Sequence, residues 1–399
     1  MKKSNKYLTG VSVGTATVWF STHCGAGFAS GTQELQYFAN HGWFGVFMPI
    51  ISFVIIAVTY YVGLETARQT DKWNYSAWSK EAYDKTPSKL SFVLRLGMDV
   101  SIVVTTISAT AATLATGGLL ANQYLNLPVV FGSILMLVIV TLLCVFGEKV
   151  VRKNAVIMTI GIILILSIVL VAGVIKFAPQ IGKLMSEGYV NPNATKWSVL
   201  GDAKGTIPGN IGNAFLWALT YAGFQISAIG GVASSFKGAI HKEEAKGAMT
   251  LGMFLNLFML MGICLLIFAG MPEIYTNEAA RQLPTIFIVN HLDIPILAIL
   301  YPILLFLALI TTAVGFIFGL VERLNPYVLT NMKSPILRKT IISVIALLAC
   351  YLVSLQGLMW VVQVAYKFLG IFNWIFIIIP LLLIGYKNIK KRDSEKLSA

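Results

Sequence analysis

The stretch STHCGAGFASGTQELQYF, residues 21–38, sets two hydroxyls (Ser21, Thr22), an imidazole (His23), a thiol (Cys24), three glycines and a carboxylate (Glu34) inside an otherwise apolar run. A helix interrupted at Gly25-Ala26-Gly27-Phe28 offers free N–H groups and a positive dipole end where its second half begins, which suits a carboxylate. Carbonyls freed at the end of the first half suit an ammonium or Na⁺. In hydrocarbon, such unpaired backbone groups are tolerated only beside a polar ligand or a water-filled cavity. A glycine-rich packing kink is the plainer reading of the same residues. His23, in the turn itself, can exchange a proton, touch a solute, or donate one hydrogen bond and do nothing else.

The elements that must hold these residues are apolar helices. Of 399 residues, 57% are hydrophobic and 12% charged, about half the charged share of a soluble domain. Ten apolar runs recur, at about 8–38, 43–67, 90–122, 128–147, 154–177, 209–236, 246–270, 294–323, 338–356 and 358–386. Each is long enough to cross roughly 30 Å of hydrocarbon as a helix, and the alternation of a β-barrel is absent. The expected class is an all-α integral membrane protein of one domain, residues 1–399, with no soluble domain or low-complexity tract.

The net charge of +13 is topological. With the N-terminus in the cytoplasm and ten alternating spans, 24 of the 30 Lys and Arg fall on the cytoplasmic side and five outside, the positive-inside pattern. Both termini are then cytoplasmic, the partner is the lipid bilayer, and no nucleic acid is implied. The first apolar run lacks the small-residue cleavage pattern of a signal peptide. Cys24, Cys144, Cys264 and Cys350 all fall within spans at no metal-like spacing, and read as buried thiols without disulfides.

Between the spans, residues 68–89 read as an interfacial helix with Trp73, Tyr75, Trp78 and Tyr83 at headgroup level. Residues 178–208 and 271–293 lie outside and are long enough to cover an entrance. The sixth run, GNIGNAFLWALTYAGFQISAIGGVASSF, carries a second expected break at Gly223 with Thr220, Tyr221 and Gln225. Ala26-Gly27-Phe28 and Ala222-Gly223-Phe224 stand 196 residues apart, near half the chain. Two interrupted helices in corresponding halves indicate two inverted five-helix repeats, about 8–177 and 209–386, with a small-molecule site between them.

At these residues the chain resembles the amino acid, polyamine and organocation transporter superfamily, with its LeuT-like fold, and within it is similar to the YkvI-like membrane proteins of bacteria. Gly25-Ala26-Gly27-Phe28 resembles the superfamily's G-S-G-I motif, whose amides bind the substrate carboxylate. Tyr221-Ala222-Gly223-Phe224-Gln225 is similar to its Y-x-G-F-E pattern, with Gln225 in place of the usual acid. The resemblance implies Trp217, Tyr221, Phe28 and Phe224 around a central site, and a bacterial cytoplasmic membrane. It also implies a Na⁺ site built from Thr311 and Thr312 and the carbonyls of Ala308, Ser21 and Cys24. Threonines bonding back to their own helix are the alternative. Ala155 to Ile175 contains no lysine that could replace the ion.

Two charges stand where lipid disfavours them. Lys367, ten residues beyond Gly357, sits about 15 Å down its helix, and such a residue by default marks a functional site. In the resembled fold the outer part of the first helix faces the tenth, which implies a Glu34–Lys367 outer gate; a static packing pair is the alternative. Arg95 with Asp99, Glu65 with Arg68, and Glu322 with Arg323 read as local helical pairs. The implied function is a secondary active transporter of an amino acid or related small amine-bearing solute, coupled to Na⁺, with no organic cofactor. Proton coupling through Glu34, His23 or Lys367, or a ligand sensor like a spore germinant receptor subunit, stay open. An enzyme is not indicated: the spans hold no paired acids, HExxH, GxSxG or metal cluster. Oligomeric state is not encoded legibly.

Overall fold

The computed structural model describes residues 6–84, 86–198, 206–325 and 327–398, and the backbone alone at 147–159 and 396–398. Lys2, Lys3, Lys85 and Lys204 of the charge count lie outside the described residues, as do the side chains of Lys149, Arg152, Lys153 and Lys396.

The first span is in three pieces: α1 (Gly10–His23), α2 (Ala26–Ser30) and α3 (Thr32–Tyr37). Thr9 opens it, accepting from Ser12 N at 3.2 Å. Next come α4 (Pro49–Thr70), started by Pro49 and closed by left-handed Asp71, and the short α5 (Tyr75–Ala82), capped by Asn74. Left-handed Asn126, followed by Pro128, turns α6 (Ser88–Leu125) back into α7 (Val129–Leu142), because proline cannot donate within a helix and disfavours a helical residue before it. A long α8 (Glu148–Ser186) then leads to a two-stranded antiparallel ribbon, β1 (Ala194–Thr195) and β2 (Thr206–Ile207).

In the second half, α9 (Ile211–Gln225) and α10 (Ile229–Ser235) form the sixth span. The span α11 (Lys242–Ala269) follows, then three short helices, α12 (Glu273–Thr276), α13 (Glu278–Gln282) and α14 (Pro284–Asn290). The chain ends with α15 (Pro295–Leu324), α16 (Pro335–Ser354) and α17 (Leu358–Glu395). Among the described residues nine helices are long and apolar enough to cross a membrane; the interrupted first span is the tenth. This is a multi-pass membrane protein. Large apolar side chains such as Phe131, Leu164, Phe254 and Leu352 are exposed around its girdle, where lipid replaces water.

Small residues let the helices approach. A Cβ on Gly223 would fall 1.9 Å from Gly370 O, and one on Gly370 would fall 2.4 Å from Thr220 O, so α9 and α17 cross backbone to backbone. Gly223 is therefore a packing glycine inside a continuous α9, and the expected interruption lies just beyond it, as a single 3₁₀ turn at Ile226–Ala228. Across the bundle, Glu244 accepts from Ile240 N and His241 N at 2.6 and 2.7 Å and from Thr9 Oγ1 at 2.8 Å. One carboxylate thus caps α11 and ties it to the start of α1.

Several expected pairings are corrected. Helix α5 packs on the protein, so Trp78 and Tyr83 are buried and not at headgroup level: Trp78 Nε1 donates to Gly63 O at 2.9 Å and Tyr83 Oη to Phe376 O at 2.9 Å. Asp99 pairs with Arg323 of α15 and not with Arg95, and Glu322 pairs with Lys339 and not with its neighbour. In each case the true partner sits across a helix–helix contact that sequence spacing does not reveal. Glu65 and Arg68 do pair, at 2.7 Å. No disulfide joins the four cysteines.

Candidate functional site

The break between α1 and α2 is sharp. Cys24 N still bonds Phe20 O at 3.1 Å, but Gly25 N turns to His23 O at 2.8 Å and Gly25 itself is extended. No side chain caps the first turn of α2. A cavity of about 1020 Å³ opens here, with Ser21, His23, Gly25, Gln225 and Thr312 on its wall at the break. It extends to Asn74, Arg95 and Asp99, at the end of the molecule where α4 stops and α6 starts.

The opposite end is sealed. Buried Tyr37 lies edge-on to Trp217 at 5.0 Å and to Tyr221 at 5.6 Å, and Phe38 meets Tyr221 at 4.9 Å. Above these rings β1 is held on both sides. Thr195 O accepts from Asn213 Nδ2 at 2.8 Å and from Trp217 Nε1 at 3.3 Å, while Thr195 Oγ1 donates to Gln36 Oε1 at 3.3 Å. Part of the segment at 178–208 therefore plugs the space between the first and sixth spans.

The expected site residues divide accordingly. Ser21, His23, Gly25, Ala26, Gly27, Gln225, Thr311 and Thr312 share the cavity wall. Phe28, Trp217, Tyr221 and Gly223 are buried off it in this conformation, Phe28 against Phe20 at 6.4 Å. His23 Nδ1 lies 3.1 Å from Trp19 Nε1 and 3.2 Å from Asn256 Oδ1, which fix the orientation of the ring. Cys24 and Ala308 are buried, and Thr311 Oγ1 donates to Ala308 O at 2.9 Å. Thr312 stands against Gly25, its methyl 3.9 Å from where a Cβ would be, so the break and α15 are neighbours. Hydroxyl and carbonyl oxygens there are hard donors of the kind Na⁺ takes.

Glu34 is completely buried and neither carboxylate oxygen has a hydrogen-bond partner; buried Lys367 lies with Nζ 4.9 Å over the Trp217 ring. No hydrogen bond joins the two residues in this conformation. Phe224, expected at the site, is on the cavity wall and stacks on Tyr366 at 3.9 Å; sequence reasoning missed Tyr366, Gln33 and Thr106, which are on the same wall. Only helical phase relative to a break whose geometry was unknown could have found them.

An interrupted first helix, a sixth span with a tight central turn, and a cavity between them define the LeuT-like fold. The chain is similar to a Na⁺-coupled sialic acid symporter in its substrate-bound outward-open state, with TM-score 0.57 and 13% identity over 96% of this chain and 91% of that one. It is similar also to MhsT in complex with L-phenylalanine, with TM-score 0.58 and 15% identity over 95% and 97% of the two chains. For a manganese transporter of Eremococcus coleocola the TM-score is 0.54 and the identity 14%, over 96% and 81%. At such identities the likeness is one of fold. No protein-family model and no curated protein matches the sequence.

Proposed function

We propose that the protein is a secondary active transporter of an amino acid or related small amine-bearing solute, coupled to Na⁺ and working by alternating access. The observation that carries this reading is the cavity at the α1–α2 break, open at one end of the bundle and sealed at the other by Tyr37, Phe38, Trp217 and Tyr221. With the termini in a bacterial cytoplasm, as the charge distribution indicates, this conformation faces inward. Solute reaches the break from inside, and opening the aromatic seal exposes the same residues outside. Thr311 and Thr312 then supply Na⁺ ligands, with the carbonyls of Ser21, Cys24 and Ala308.

Proton coupling is the second reading. Glu34 favours it, because a wholly buried acid without hydrogen-bond partners is an uncompensated group that a change of conformation would hydrate. The test is thermal stability of the purified protein against a panel of amino acids and amines, each in Na⁺ and in choline buffer, since a ligand of the folded state raises its apparent stability. Stabilisation by one solute only in Na⁺ is the expected result; stabilisation independent of Na⁺ but varying with pH would replace Na⁺ with H⁺. Net uptake into proteoliposomes separates a transporter from a sensor on the same fold.

A further inference from the structure

Among the described residues on the cavity wall at the break, Gln33 has the largest unmet bonding capacity, the two N–H groups of its Nε2. Helix α3 starts from Gly31, whose φ is 81° and where a Cβ would fall 2.3 Å from Thr285 Oγ1, so only glycine makes this turn. The turn sets Gln33 against α2: a Cβ on Gly27 would lie 3.1 Å from Gln33 Oε1 and 3.3 Å from Gln33 Cβ. The side chain is 2% exposed, lines the cavity, and its Nε2 has no hydrogen-bond partner. Beside it, the first turn of α2 is uncapped.

A buried donor without a partner is destabilising, and an apolar side chain of the same shape would avoid that cost. Sites built to hydrogen-bond a solute reject analogues that lack the matching group, because the site's own polar atom is then left unpaired.

We propose that Gln33 is a specificity-determining residue: its carboxamide donates to a carboxylate or carbonyl oxygen of a solute seated against Gly27, and solutes without that oxygen are rejected. This rests on the reading of the chain as a solute transporter. Gln33 is thereby a substrate contact independent of the α2 amides, supplied by the helix that follows the break.

The experiment compares wild type with Gln33→Met, which keeps length and removes the amide, and with Gln33→Glu, which removes the donor when ionised. The probes are the twenty L-amino acids in Na⁺ buffer and the decarboxylated amine of each one that stabilises wild type. Expected are a wild-type response to the amino acid and not to its amine, unliganded stability of Gln33→Met equal to or above wild type, and about tenfold or more solute needed by both variants for the same shift. A Gln33→Met protein with the wild-type concentration dependence overturns this proposal alone. So does one that is less stable without solute, which would make Gln33 a packing residue. A wild-type protein that no amino acid stabilises overturns the amino acid reading and this inference with it.

Discussion

Gly223 and Gly14 are both glycines in membrane helices, but only the first has another backbone against it. A Cβ at Gly223 would meet Gly370 O, whereas one at Gly14 would meet nothing within 4 Å. Gly223→Ala is expected to cost about 1–3 kcal/mol through forced separation of α9 and α17. Gly14→Ala should be neutral or stabilising by up to about 1 kcal/mol. Thermal unfolding of the two variants checks both. At the proposed ion site, Thr311 already donates to Ala308 O, and its oxygen keeps lone pairs for a cation. Thr312, against Gly25, has no such intrahelical bond among the described contacts, so it is the cleaner probe. Thr312→Ala is expected to abolish the difference in stability between Na⁺ and choline buffers; an undiminished difference would remove Thr312 from the ion site.

The ribbon β1–β2 is the smallest element of the fold and lies at the sealed end of the cavity. Thr195 bonds Gln36 of the first span, Asn40 just beyond it, and Asn213 and Trp217 of the sixth. Any opening between those spans at this end must break these bonds. Thr195→Val removes the two side-chain bonds, about 1–2 kcal/mol in sum. Amide exchange across 191–198 is expected to rise roughly five- to thirty-fold if local opening governs it; unchanged exchange would show that the ribbon is held by its neighbours alone. Helix α5 holds the other end. Tyr75 Oη donates to Asp99 Oδ1 at 3.0 Å, and the Arg323 guanidinium, paired with Asp99, lies 4.4 Å over the Tyr75 ring. Asp99 and Arg323 are part-exposed, so their pairing weakens with salt.

For the whole molecule, the asymmetry of Lys and Arg and the asymmetry of the cavity make a joint statement. The cavity opens beside Asn74 and Ser76, on the side to which the charge count assigns the cytoplasm. Ser76→Cys, at an exposed position, is expected to react with a membrane-impermeant maleimide in inverted vesicles and not in intact cells. The opposite result would invert the topology and make this conformation outward-facing. Much of this architecture was legible in the chain. Ten apolar runs, the break at Gly25–Phe28 and the buried Lys367 follow from the hydrocarbon's intolerance of polar groups, which marks each departure from an apolar helix. The second break was misplaced by three residues, because Gly223 serves close packing and the turn beyond it, Ile226–Ala228, carries no glycine.

Hydrophobic length, charge asymmetry and the composition of the first span by themselves determined that this is a membrane bundle with an interrupted helix, since those properties are local and are set by the solvent each segment meets. Tertiary structure alone decided which polar residues share a wall. His23, Gln33, Gln225 and Thr312 converge there, while Trp217, Tyr221 and Phe28 turn away. The partners of Asp99 and Glu322 were decided in the same way. The rotation and separation of helices come from the close packing of side chains across their contacts, and small residues permit more than one such packing. No periodicity along the chain records which one forms.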